Sequence, residues 1–316
     1  MTDELSKIPR SRPRLVMVGL SCLDHIWQLE RFPPDASRTT ATAYRMQGGG
    51  PAATAAVTAA RLGAEVSLVA LHGDDANGRA AREELEHYGV DCTHLRVVPG
   101  GVSWVSAVLV APGGERFIFP YRGAGLIDSA EGLDGALLGG VDCLLCDGRH
   151  PLMSRALLEE ARRRGVPTVG DWSNTRHWEL TKLIDYLLVS EECAREVLGR
   201  DDPEAALEKL RQVEGQVVGI TLGEQGFLFD DGERVRHLSA LPVEAVDTTG
   251  AGDVFHGAYA YAVARGESPE RCGLFASVTA ALSVTALGRS GIPTASEVEH
   301  LLEKKTLKEM NELQWT

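Results

Sequence analysis

From Val141 onward, short apolar runs alternate with segments of helical pattern, and no other feature of the chain constrains its fold so tightly. The apolar runs lie at 143–147, 168–171, 186–190 and 217–222, and the helical segments between them at 152–164, 191–198 and 203–212. Units of this kind predict a parallel sheet with helices on both faces. Near the N-terminus, Leu15-Val16-Met17-Val18-Gly19 adds a strand that is apolar throughout, as strands covered on both sides are. The last third turns helical, at 251–265, 269–287 and 295–305. The expected fold is an α/β three-layer sandwich around a mainly parallel sheet.

Two stretches break this rhythm. Residues 25–46, and 103–121 with the Gly113-Gly114 turn, read as antiparallel strands. No repeat or low-complexity linker sets them apart, so they are expected to be insertions, about 25–46 and 101–123, in one domain covering 15–316. Residues 1–14 are expected to form a disordered tail.

The segment from Val246 to Gly257 places a bare turn, a carboxylate and a helix start within a dozen residues. Gly250 and Gly252 flank Ala251, which lets the backbone approach a ligand closely. If these residues open the apolar run that follows, their amides point out of a helix N-terminus and form an anion hole. Asp253 then stands beside the anion, placed to accept a hydroxyl proton as phosphate is transferred. A lone Gly-x-Gly-Asp also occurs where an Asp simply stabilises a helix start, so the other segments carry weight. Asp24 follows the first strand, where ligands bind in open α/β sheets. Gly48-Gly49-Gly50-Pro51 opens an alanine-rich helix, expected to be a second bare N-terminus. The strand ending Thr221-Leu222-Gly223 runs into a glycine turn that Gly226 closes.

In this order, these segments resemble carbohydrate kinases of the ribokinase or PfkB family from about Leu15 to Leu302. Residues 73–78 and 171–176 belong to the same pattern. The resemblance implies a ribokinase-like fold in which the two strand pairs form a small antiparallel β lid over the sugar and pair in a homodimer. It implies that Asp253 is the catalytic base and that Gly250, Ala251 and Gly252 form the anion hole. It places Asp24, Gly48 and Gly49 on sugar hydroxyls, and Thr221, Gly223 and Gly226 on the nucleotide. Asp247 and Thr249 match a monovalent-cation site, for K+, while Mg2+ arrives with ATP.

The chain departs from the family pattern at two places. Ala53 stands where an Asn is usual, which implies one fewer bond to the sugar. Ser190 and Cys193 replace the ends of an Asn-x-x-Glu segment linked to magnesium, leaving Glu191 or Glu192 as substitutes acting through water. The glycine-rich segments are similar to those of sulfofructose kinases, which phosphorylate a primary hydroxyl of a sulfonated ketose. Arg38 and Arg149 fall where that branch holds the sulfonate, although an expected amide is replaced near Pro120 and Tyr121. Arg122 resembles an arginine of fructokinases and 2-keto-3-deoxygluconate kinases. These arginines suit an anionic or ketose acceptor; each also reads as a solvated loop arginine.

Composition agrees with a soluble enzyme. The net charge of −13 argues against a nucleic-acid partner. No uninterrupted apolar stretch reaches about 18 residues, so no membrane partner is expected and the location expected is cytoplasmic. Six cysteines without regular spacing suit a reducing compartment. The Cys143-Leu144-Leu145-Cys146 motif lies within a strand, where alternation turns its thiols to opposite faces. His256, His150, His177, Trp172 and Trp178 lie near the expected site, and packing suffices to explain each. The sequence thus predicts an ATP-dependent sugar kinase. A nucleoside kinase fits less well, and a protein that binds sugar or nucleotide without turnover is the alternative of another class.

Overall fold

The protein is described by a computed structural model covering residues 12–32, 38–111 and 116–304. Strand β1 (Arg14–Val18) lies inside the larger sheet, parallel both to β4 (Glu65–Gly73) and to β8 (Cys143–Cys146). From β8 the parallel series continues through β9 (Thr168–Trp172), β10 (Tyr186–Ser190) and β11 (Val217–Thr221). On the other side, β5 (Leu95–Val98) pairs with β4. The antiparallel strands β12 (Phe227–Asp230) and β13 (Val235–Leu238) complete nine strands, in the order β13-β12-β11-β10-β9-β8-β1-β4-β5. Arg14, expected in the tail, is the first residue of β1 and pairs with Glu65; residues 1–11 lie outside the described residues.

The sheet is buried on both faces because its strands alternate between two cores. Leu15 and Met17 belong to one core, together with side chains of α1 (Pro51–Arg61), α2 (Ala76–His87), α6 (Ala251–Ala264), α7 (Pro269–Ser283) and α8 (Ala295–Lys304). Val16 and Val18 belong to the other, with α3 (Pro151–Arg164), α4 (Glu191–Leu198) and α5 (Pro203–Leu210). Cys143 and Cys146 divide between the same two cores, as strand alternation requires. All six cysteines are buried and free.

The chain leaves β1 toward β4 and returns to its other flank as β8, so strand order reverses between them. Open α/β sheets bind ligands at the carboxyl ends of strands around such a point. Over it stands the second sheet, β3-β2-β6-β7, built from β2 (Cys22–Gln28), β3 (Ala43–Gly49), β6 (Val105–Val110) and β7 (Arg116–Tyr121). Each expected strand pair is antiparallel, β2 with β3 and β6 with β7, while the inner strands β2 and β6 run parallel. Parallel neighbours need a crossover, and the chain between them supplies it by passing through α1, β4, α2 and β5.

Register divides the lid into two faces. Gln47, Asp24 and Ser106 lie in one row across the strands, Arg45, Ile26, Val108 and Ile118 in the next, and both rows share the side that carries Arg116. The opposite side carries His25, Trp27, Tyr44, Met46, Phe119 and Tyr121, a largely exposed aromatic surface.

Beneath the lid, α1 packs against α6 at Gly257. A Cβ on Gly257 would stand 2.6 Å from the Ala55 carbonyl oxygen and 2.7 Å from its Cα, so only glycine lets the two helices approach this far. The contact brings both helix N-termini to one place. Gly257→Ala should destabilise the fold by about 1–3 kcal/mol through overpacking; an unchanged urea midpoint would contradict this packing.

Candidate active site

Helix α6 starts as the glycine spacing predicts. Gly250 is its N-cap in the left-handed region (φ 73°, ψ 9°), and no side chain caps the helix. Ala251 N–H donates to Thr248 O at 3.3 Å. The following amides, of Gly252 and Asp253, belong to the first turn, whose N–H groups have no acceptor within the helix, and partial positive charge collects there. Two cavities meet at this start. Gly250, Asp253 and Thr249 line a cavity of about 280 Å³, while Thr248, Ala251, Gly252 and Phe255 line one of about 700 Å³. Helical periodicity thus turns neighbouring residues of one turn to different ligand spaces.

The smaller cavity is the space under the lid. Asp24, Gln47, Ser106, Val108, Arg116 and Ile118 reach it from the lid's inner face. Gly48 and Gly49 line it as expected, and both positions need glycine for space: a Cβ on Gly49 would meet Asp24 Oδ2 at 2.2 Å, and one on Gly48 would meet Arg289 Nη1 at 2.3 Å. Burial raises the pKa of Asp24, although Ser106, Cys22 and Arg289 favour its charged form. Arg289 is nearly buried; it donates to Thr54 Oγ1 at 3.0 Å and pairs with Glu84 at 3.3 Å. No Phe, Tyr or Trp is among the described residues lining this cavity.

The start of α1 is not the bare N-terminus expected from its glycines. Asp147, just beyond β8, is buried against it. Its Oδ2 accepts the amides of Leu20 at 2.7 Å and Ala52 at 3.2 Å, and its Oδ1 accepts Arg149 N–H at 2.9 Å. Ala53 N–H goes to Leu20 O at 3.2 Å. A carboxylate of the chain itself therefore occupies the positive end of α1. Ala53 lies wholly in the core and not on the cavity wall; the neighbouring Thr54 is the residue that lines it.

Of the three arginines expected to meet the acceptor, the structure brings one to the cavity. Arg149 lines it and donates to Ser173 Oγ at 2.8 Å. Arg38 is exposed ahead of β3, and Arg122, just past β7, is exposed with its guanidinium 5.9 Å from the centre of the Trp104 ring; neither reaches the cavity. Arg116 and Arg289 stand there instead, and the sequence reading missed both. Strand parity is the signal for Arg116, because in β7 it shares the inward face with Ile118.

The larger cavity holds all three residues expected on the nucleotide, Thr221, Gly223 and Gly226. Gly223 and Gly226 have φ of 57° and 103°, and a Cβ on Gly226 would meet Leu238 O at 2.0 Å, which makes the turn after β11 specific to glycine. Leu241, Pro242 and Val243 with Ala280, Ala281 and Val284 give the rest of the wall an apolar character suited to a flat heterocycle.

Asp253 faces the smaller cavity. Burial first, and then the negative charges of Asp171 and Asp147, hold its pKa above the ordinary carboxylate range, against the opposing effect of His256 and Arg289. Asp171, buried at β9, is raised for the same reasons, burial first and then Asp147. Burial lowers the pKa of His256; its Nδ1 donates to Gly252 O at 2.6 Å and lies 3.5 Å from Asp171 Oδ2. His256 thus braces the first turn of α6 from inside and does not line either cavity. His150 and Trp172 are likewise buried and away from both cavities.

The expected metal positions fare differently from the rest. Ser190 caps α4, accepting Cys193 N–H at 3.2 Å, and the Cys193 side chain is in the core. Glu191 pairs with Arg195 at 3.2 Å, and neither Glu191 nor Glu192 lines a cavity. No cluster of three or more His, Cys, Asp or Glu suited to a metal occurs among the described residues. Asp247 is engaged by Arg45, whose Nη2 lies 2.5 Å from Oδ2, and by the amides of Gly288 and Thr249, each at 3.0 Å.

Known proteins match this arrangement along nearly the whole chain. The family model described as pfkB family carbohydrate kinase matches residues 12–295. Ribokinase of Haemophilus influenzae is 30% identical over 303 residues, which span 92% of this chain and 99% of that protein. The 2-dehydro-3-deoxygluconokinase of Thermoproteus tenax is 29% identical over 314 residues, 92% of this chain and 96% of that one. The structure of Arabidopsis thaliana ribokinase complexed with ribose and ATP superimposes with a TM-score of 0.83 at 26% identity, covering 92% of this chain and 99% of that chain. The match along nearly the whole chain places this protein in the pfkB family of carbohydrate kinases, phosphotransferases with an alcohol acceptor.

Proposed function

We propose that the protein transfers the γ-phosphate of MgATP to a primary hydroxyl of a small, anionic ketose-type sugar. The observation that carries this reading is the division of the α6 start between a small cavity lined by Asp253, Asp24, Arg116 and Arg149 and a larger one walled by Leu241, Pro242, Val243 and Val284. The sugar lies under the lid against Asp24, Gly48 and Gly49, and ATP lies along Thr221, Gly223 and Gly226. Asp253 takes the acceptor proton as the new oxygen–phosphorus bond forms and the bond to the β-phosphate oxygen breaks, releasing ADP. The amides at Gly252 and Asp253 face the charge carried by the transferred group. Magnesium, when bound to the phosphates of ATP, neutralises part of their charge; no residue of this chain is assigned to it.

The acceptor class follows from the cavity wall. Arg116 and Arg149 both line it, and neither is within ion-pair distance of a carboxylate among the described residues, although Arg149 lies near enough to Asp171 to favour its charged form. Two such guanidinium groups in a cavity of about 280 Å³ favour a sugar bearing a carboxylate or sulfonate. Sulfofructose and 2-keto-3-deoxygluconate both fit, and the Thermoproteus relative supports the second. The lack of aromatic side chains among the described residues lining the cavity disfavours a nucleobase, which would gain from stacking. Fructose is the neutral alternative, and binding without turnover is the alternative outside catalysis.

ADP release with MgATP should be measured with sulfofructose, 2-keto-3-deoxygluconate, fructose, tagatose, ribose and adenosine. An anionic ketose is expected to be preferred, and Arg116→Met or Arg149→Met should raise its KM on the order of 10- to 100-fold while changing that for fructose little. Preference for adenosine or a neutral sugar would overturn the assignment, and sugar binding without ADP release would point to a binding protein.

Asp253→Ala should lower kcat by roughly 10²- to 10⁴-fold with the melting temperature preserved; near-normal turnover would refute its role. Because a base must be ionised and this one titrates high, kcat/KM should fall with decreasing pH at values above the ordinary carboxylate pKa of about 4. That limb belongs to Asp253 and Asp171 together. Asp171→Asn removes a like charge and should move it to lower pH; a shift upward, or none, would count against the coupling.

A further inference from the structure

The resemblance implies a monovalent cation at Asp247 and Thr249, but the residues present do not suit one. Asp247 is almost buried, its side chain 8% exposed, and a cation of the chain already touches it: Arg45 Nη2, at 2.5 Å from Oδ2. The same oxygen accepts the Gly288 amide and Oδ1 accepts the Thr249 amide, both at 3.0 Å. Three donors, one of them fully charged, therefore converge on a single carboxylate. A dissociable ion at the same oxygens would meet the guanidinium at contact distance and be repelled.

The position of this pair gives it a consequence for the reaction. Asp247 holds the amide of Thr249, in the turn that leads through Gly250 into the first turn of α6. Without a counter-ion its charge would stand close to the phosphate being transferred. Arg45 comes from lid strand β3, on the face that turns Gln47 into the acceptor cavity. One ion pair thus joins residues 202 apart in sequence and ties the lid to the turn that opens α6.

We propose that the Arg45 guanidinium is the permanent counter-ion of Asp247, in place of a dissociable monovalent cation, and that Arg45 is a positioning residue whose charge makes turnover independent of potassium. The inference rests on the α6 start being the phosphoryl-transfer site. Its chemistry is that of a fixed charge: guanidinium stays protonated throughout the accessible pH range, so the neutralisation is present whatever the salt.

The test compares choline, sodium and potassium chloride at equal ionic strength, with wild type and Arg45→Met, using the best acceptor found. ADP release by the wild type should differ less than twofold among the salts. Arg45→Met should lose at least tenfold in choline and recover in potassium or on addition of methylguanidinium. Activation of the wild type tenfold or more by potassium would overturn the proposal, as would an Arg45→Met variant that turns over normally in choline. Thermal melting and ADP binding in the same salts read the site without turnover, so failure of the kinase reading is distinguishable. The wild type should then show no stabilisation specific to potassium; such stabilisation would overturn the proposal even if Arg45→Met failed to fold.

Discussion

Much of this site hangs on one buried carboxylate. Asp147 stands at the end of β8 and takes amides from the segment after β1, from the first turn of α1 and from Arg149. A carboxylate with three amide donors holds its partners more tightly than a neutral acceptor would, and here the partners are pieces that define the smaller cavity. It fixes the direction in which the glycine strand of the lid enters α1, and it sets the backbone from which the Arg149 side chain reaches the cavity. It also neutralises the positive end of α1, so of the two adjacent helix N-termini only that of α6 presents uncapped first-turn amides to a ligand. Close packing of Gly257 on Ala55 then holds the two helix starts together.

The start of α6 works as a partition. Because successive residues point about a quarter-turn apart, Asp253 faces the smaller cavity while Ala251 and Gly252 face the larger one. In the proposed reaction the carboxylate that takes the proton and the first-turn amides of Gly252 and Asp253 are therefore held on one rigid element and do not depend on a loop. The buried Asp171 and His256 lie behind this turn; the first raises the proton affinity of Asp253 and the second secures the Gly252 carbonyl.

What could be read from the chain depended on whether the signal was local. The alternation after Val141 foretold the parallel sheet, and the glycines near Gly48, Gly223 and Gly250 marked turns that the backbone needs. Asp24, Asp253, Thr221 and Gly226 all line the cavities assigned to them. Residues set by long-range pairing were not legible. Arg116 lines the smaller cavity and Arg122 does not, because the first lies within β7 at an inward position and the second lies past its end. Asp147 looked like any Asp after an apolar run, since two of the three amides that it binds come from segments more than ninety residues away. The pairing of Arg45 with Asp247 has no local trace either, and it sets a guanidinium on the carboxylate that the family resemblance matches to a monovalent-cation site.

The central claim is that phosphate passes across the first turn of α6. A crystal structure with the preferred sugar, ADP, magnesium and aluminium fluoride tests it most directly. The account predicts fluoride within hydrogen-bonding distance of the Gly252 and Asp253 amides, with one sugar hydroxyl in line and touching the Asp253 carboxylate. A phosphoryl analogue bound away from this turn, or a sugar whose hydroxyls leave Asp253 untouched, would contradict it.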